Sequence, residues 1–131
     1  MKDYTIREIF INNFRVFHDQ PILLNRDLTF ITGTNGSGKT SFLKTLLLLK
    51  ESAITNNLDS IDFSTEGINL GTYDSCKTNN SSEEDIVFKM VFSDTSILNI
   101  PNRIKILPDS IILCLKYLKD VENGKLISLL L

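Results

Sequence analysis

The densest chemistry in the chain lies in one run, Gly33-Thr34-Asn35-Gly36-Ser37-Gly38-Lys39-Thr40. It matches G-x-x-x-x-G-K-[ST] at every fixed position. A loop that wraps a polyphosphate turns its backbone N–H groups inward, which calls for positive φ and leaves little room for Cβ. Gly33, Gly36 and Gly38 meet that demand, while Thr34, Asn35 and Ser37 contribute backbone amides between them. Lys39 supplies a full positive charge for β- and γ-phosphate oxygens. Thr40 offers a hydroxyl to Mg²⁺, a hard ion that prefers oxygen ligands and keeps several waters. Ser41 follows in the first helical turn, where unpaired N–H groups and a partial positive charge favour an anion. The spacing therefore predicts a P-loop that takes ATP and Mg²⁺. The blander reading of the same residues is a Gly-rich turn that caps a helix.

Such a loop works only between a strand and a helix. Leu28 to Thr32 is short, β-rich and ends at Gly33, which predicts a buried sheet strand feeding the loop. From Lys39 to about Ser52, apolar residues Phe42, Leu43, Leu46, Leu47, Leu48 and Leu49 cover a wide helical face, predicting a helix that is mostly buried. Upstream, Tyr4 to Asn12 reads as a strand, and Ile22-Leu23-Leu24 as a shorter one after the turn cluster at His18-Asp19-Gln20-Pro21.

Downstream the composition changes. Residues 54–84 are rich in Asn, Ser, Thr, Asp and Gly, interrupted by Ile61-Asp62-Phe63 and Ile68-Asn69-Leu70. From Asp85 the pattern has period two, with Ile86, Phe88, Met90 and Phe92 on one face. Ser96 to Ile100 reads as a further short strand. Residues 111–121 and 125–131 flank Asn123-Gly124, a hairpin signal. Ile111, Leu115 and Leu118 also share a helical face, but the hairpin turn favours strands. The chain thus reads as one α/β domain in three stretches. These are strands, loop and first helix over 1–53, a polar connecting region over 54–84, and an antiparallel β-rich segment over 85–131.

The 131 residues suit a single packed core, with 42% hydrophobic and 23% charged residues. A formal net charge of −2 gives no general attraction to nucleic acid, so nucleic acid is not indicated as a partner. There is no signal-peptide pattern at Met1-Lys2-Asp3-Tyr4 and no apolar stretch of membrane-spanning length, which predicts a cytoplasmic protein with no membrane partner. Cys76 and Cys114 lack ligand spacing and read as one loop thiol and one packed thiol. His18 reads as a solvated loop residue, and Asn79 and Asn80 as polar loop residues.

Several segments together resemble a family. Asn13-Phe14-Arg15-Val16-Phe17, then Leu28 through Thr40, then Ser41-Phe42-Leu43 are similar to the start of ABC-type ATPase heads. That group contains the SMC proteins, RecF, and the OLD-type and related prokaryotic AAA family ATPases. Leu43 to Lys50 resembles the helix of stand-alone prokaryotic members, some of them in phage-defence operons, and Ile68 to Tyr73 is similar to a later piece of the same proteins. The resemblance implies a P-loop NTPase fold: an N-terminal lobe with a mixed or antiparallel β layer around the P-loop helix. It also implies that Arg15 approaches the nucleotide phosphates, where the residues alone read equally as a solvated arginine at a strand end. The partner it implies is a second copy, or another chain, supplying the second ATPase half.

The departures are equally specific. No run of four apolar residues precedes an Asp-Glu pair, no Ser-Gly-Gly signature is present, and the only glutamine, Gln20, lies before the loop. Hydrolysis needs a positioned water as well as a bound phosphate. The chain is therefore expected to be an incomplete head, ending inside the apolar strand Leu126 to Leu131, that binds ATP and hydrolyses it only with a further lobe. The competing reading is a regulatory module that holds ATP without turnover. A small GTPase is excluded by the lack of Asn-Lys-x-Asp and Asp-x-x-Gly. A small-molecule kinase is disfavoured by the scattered placement of Arg7, Arg15, Arg26 and Arg103.

Overall fold

A computed structural model describes residues 4–55, 57–65, 67–94, 110–120 and 123–130. Strand β1 (Tyr4–Asn12) pairs antiparallel with β2 (Gln20–Leu23) on one side. On its other side β1 pairs with β6 (Ile86–Asp94). Helix α1 (Lys39–Ile54) follows the glycine-rich loop. Short strands β3 (Ser60–Ile61), β4 (Ser64–Thr65) and β5 (Ile68–Asn69) and a single helical turn, α2 (Tyr73–Cys76), make up the connecting region. Strands β7 (Ser110–Asp120) and β8 (Asn123–Leu130) complete a six-stranded antiparallel sheet in the order β2-β1-β6-β7-β8-β3, while β4 and β5 form a separate ribbon.

The period-two pattern of β6 explains one face of this sheet. Ile86, Phe88 and Met90 are buried, and the register sets them opposite Tyr117, Leu115 and Leu113 on β7 and, for Phe88 and Met90, Ile11 and Ile9 on β1. Against this face pack Phe42, Leu48 and Leu49 of α1 and the anchors Ile61, Phe63, Ile68 and Leu70 of the connecting region. A chain of aromatic contacts runs through the centre. Phe14 lies 5.4 Å from Phe88 edge-on and 6.0 Å from Phe63, and Tyr73 and Tyr117 extend the series. Each such ring contributes about 1.5–3 kcal/mol by burial. The opposite face is half-exposed and carries charge, with Lys89 over the Phe10 ring and Lys116 paired to Asp85 at 2.8 Å. An antiparallel sheet with one wet face is ordinary.

Several expectations are corrected here. Leu28 to Thr32 is not a strand and is not buried: it is unpaired, with Leu28, Phe30 and Ile31 exposed, Phe30 to 82%. β-Rich composition makes a segment able to pair, but pairing needs a neighbouring strand, and among the described residues none lies alongside. Helix α1 runs to Ile54 and buries only Phe42, Thr45, Leu48 and Leu49, because the core meets a single side of it. Leu43, Leu47 and Ile54 therefore face outward.

Asn123-Gly124 is not the hairpin turn, since Asn123 already pairs with Asp120. Gly124 lies within β8, where a Cβ would meet Ile61 Cγ2 at 2.7 Å, so the glycine serves a close approach rather than a bend. The thiols are reversed as well: Cys76, expected in a loop, is fully buried in α2, and Cys114 is only partly covered. The expected strand at Ser96 to Ile100 lies outside the described residues, as does Leu131. No helix among the described residues is long and apolar enough to cross a membrane.

Candidate functional site

The loop from Gly33 to Thr40 is curved, not straightened. Gly36 and Gly38 have φ of 80° and 98°, in the left-handed region that a side chain disfavours. At Gly38 crowding adds to this: a Cβ would meet Val16 Cγ2 at 2.5 Å and Phe17 Cζ at 2.9 Å. Gly38 caps α1 with no side-chain hydrogen bond, so the first amides of the helix are left for another acceptor. The Lys39 ammonium folds back over the loop, donating to the carbonyls of Gly33 at 2.5 Å and Thr34 at 2.6 Å. A cation held only by backbone carbonyls is ready to exchange them for an anion.

Facing this loop stands a second wall, built from the turn after β1 and the segment after α2. Asn13 and Arg15 both have left-handed backbones, with φ of 57° and 55°. The Asn13 side chain holds this turn by donating to the carbonyls of Glu83 at 3.0 Å and Asp85 at 2.9 Å. Phe14 pairs with Phe17 inside the turn and with Lys77 across it. The Arg15 amide donates to the Cys76 carbonyl at 2.7 Å, and its guanidinium donates to the Leu70 carbonyl at 3.0 Å. Arg15 Nε is buried and has no partner among the described residues. Burial pushes the Cys76 thiol pKa up, and the Arg15 charge offsets this only in part.

Between the walls lies an open cleft of about 380 Å³. Its ionisable lining, among the described residues, is Arg15, Lys39 and Lys77, with no carboxylate. In a chain of net charge −2, that is a concentrated positive site. It suits a polyanion threaded past a helix N-terminus.

A comparison with known families supplies the assignment. Residues 8–118, from β1 through the loop and across β6 to β7, match the AAA domain family. The chain belongs to the AAA domain family. Membership carries nucleotide binding and an ATPase-type function as its coarse meaning, and it accords with the α/β architecture and mostly antiparallel sheet. No curated protein and no solved structure matches the chain.

Within this AAA domain, most of the residues singled out from the sequence meet in the cleft, and Gly38 and Lys39 also border a second hollow. Arg15, Asn35, Gly36, Gly38, Lys39, Thr40 and Ser41 line the cleft together. Gly33 and Ser37 line a different hollow, of about 340 Å³, on the far side of the loop beside Phe30 and Phe42. Thr34 lines neither, and its carbonyl holds Lys39. Sequence reasoning missed Val16, Ser75, Lys77 and Asn79 in the cleft wall. Ser75 lies in the helical turn α2 and Lys77 and Asn79 follow it, a polar run whose residues gain meaning only once the segment is known to face the loop.

Proposed function

We propose that the cleft of this AAA domain binds ATP as its magnesium complex, in the manner of the N-terminal lobe of an ABC-type head of the SMC, RecF and OLD-like group. The observation that supports this most is the convergence of Arg15, Lys39 and Lys77 on one cleft that also receives the open amides of α1. In this reading the amides of Gly33 to Thr40 wrap the polyphosphate, Lys39 leaves its two carbonyls for β- and γ-oxygens, and Arg15 reaches the phosphates from the opposite wall. The donor set for the metal is sparse. Among the described residues no cluster of His, Cys, Asp or Glu could hold an ion, while the Thr40 hydroxyl lies open to the cleft. That fits Mg²⁺ carried by phosphate oxygens and water with the Thr40 hydroxyl as a protein ligand. When bound, the ion supplies charge neutralisation on the phosphates.

Hydrolysis, in the same reading, draws on groups supplied by a further lobe and by a second head, as a homodimer or with a partner chain. The sequence has no apolar run leading to Asp-Glu and no glutamine after the loop to orient water. Leu28, Phe30 and Ile31, exposed directly before the loop, offer the apolar surface such a lobe would cover. The same lack of a carboxylate in the cleft favours a second reading, a module that holds ATP without turnover and acts through a partner. Calorimetric titration of the purified chain with ATP and Mg²⁺ tests binding, and phosphate release from the same sample separates the two readings. Saturable binding with negligible release is expected of the isolated chain. Robust turnover would exclude the non-hydrolysing module and the need for a second lobe.

A further inference from the structure

The third cation of the cleft belongs to no motif in the sequence. Lys77 sits on the wall opposite the loop, and its side chain is only 17% exposed. Its backbone is fixed twice, by the bridge to Phe14 and by its amide donating to the Tyr73 carbonyl at 3.1 Å. Its ionic partner is Glu84, whose side chain is 81% exposed and whose oxygen lies 3.6 Å from the ammonium. That separation is too long for a hydrogen bond, and a carboxylate so open to water holds its partner weakly. The result is a sheltered ammonium with a poor partner, on a residue that lines the same cleft as the loop.

We propose that Lys77 is a ligand of the terminal phosphate and sets the preference of the site for a nucleoside triphosphate over a diphosphate, with Glu84 as the resting partner that the phosphate displaces. This rests on the reading of the cleft as a nucleoside triphosphate site. The loop amides lie on one wall and serve the part of the chain that a diphosphate and a triphosphate share, with Lys39 reaching β- and γ-oxygens from the same wall. The added phosphate of the triphosphate brings further charge to the opposite side, where Lys77 meets it. A charge-assisted contact to a phosphate oxygen is shorter and stronger than the loose pair with Glu84.

The test is calorimetric titration of the full chain and its Lys77→Gln, Lys77→Arg and Glu84→Gln variants with ATP and with ADP, each with Mg²⁺. Lys77→Gln is expected to weaken ATP about tenfold, the scale of one hydrogen bond to a charged group, and to change ADP less than about twofold. Lys77→Arg restores most of the ATP affinity, and Glu84→Gln strengthens ATP about two- to threefold by removing the competitor. Lys77→Arg keeps the charge and most of the buried stem, and an unchanged thermal midpoint checks that the variants are intact. Equal losses for ATP and ADP, or no loss for either, overturn the proposal. If ATP binds and Lys39→Ala removes binding while Lys77→Gln changes nothing, only the Lys77 assignment fails; if the parent chain binds neither nucleotide, the reading of the cleft fails with it.

Discussion

The amide of Arg15 and the carbonyl of Cys76 meet at 2.7 Å, tying the turn after β1 to the segment after α2. Thr78 reinforces the tie, its hydroxyl donating to the Phe17 carbonyl at 3.0 Å. One wall of the cleft is therefore made of two distant pieces of chain that are rigid only together. This sets Arg15 and Lys77 in the same wall of a cleft whose other wall carries Lys39. A site of this kind needs its backbone to hold two left-handed residues, Asn13 and Arg15, in place.

Asn13 is the lock for that wall. Its buried amide group spans the carbonyls of Glu83 and Asp85, and asparagine tolerates the left-handed backbone better than most residues. Asn13→Ala leaves two carbonyls without a donor and is expected to destabilise the fold by about 2–3 kcal/mol. Urea unfolding of parent and variant checks this, and coincident midpoints would contradict it.

Gly38 and Gly36 should separate strain from crowding. Both have positive φ, but only at Gly38 would a Cβ collide with Val16 and Phe17; at Gly36 it would enter open space. Gly36→Ala is expected to cost about 1 kcal/mol, and Gly38→Ala about 2–3 kcal/mol. Thermal unfolding gives the ranking. Equal costs at the two positions would mean that the loop does not rest on the turn after β1.

Tyr73 and Tyr117 predict an alkaline limit to stability. The Tyr73 hydroxyl donates between the carbonyls of Tyr117 at 2.7 Å and Glu84 at 2.8 Å, and that of Tyr117 donates to Leu58 at 3.0 Å. Burial pushes both phenols up from 10.0 to about 12, with Asp59 adding to the shift at Tyr117. The unfolded chain thus loses these protons near pH 10 while the native chain keeps them. The stability they contribute is intact below pH 10 and lost as pH rises towards 12, on the order of 2 kcal/mol for each phenol. Unfolding midpoints measured across that range should fall steeply for the parent and less steeply for Tyr73→Phe, which is weaker at neutral pH for want of its hydrogen bond. Parallel slopes would rule out Tyr73 as a source.

What the sequence made legible is what short-range chemistry dictates. The spacing of Gly33, Gly36, Gly38, Lys39 and Thr40 marks a loop at a helix start, and the alternation from Ile86 to Phe92 marks a strand with one buried face. Arg15 was reached through family resemblance, not through its own surroundings. The failures share a physical cause, since each depended on a neighbour that the local residues do not name. Leu28 to Thr32 has strand composition but, among the described residues, no strand beside it. The leucines of α1 suggest burial on more sides than the core covers, and Gly124 answers to Ile61 rather than to a turn. Lys77 enters the cleft only because Phe14 and Arg15 fasten its segment there. Local pattern reports what a segment is able to do, and long-range pairing decides which of those options is used.

The central claim is that a cation at the start of α1 grips a polyphosphate in this cleft. Its most direct test is calorimetric titration of ATP with Mg²⁺ into the parent chain and into Lys39→Ala. The account predicts saturable binding by the parent and a loss of at least about a hundredfold in the variant, with both chains folded alike. Equal affinity for ATP in the two chains would contradict it.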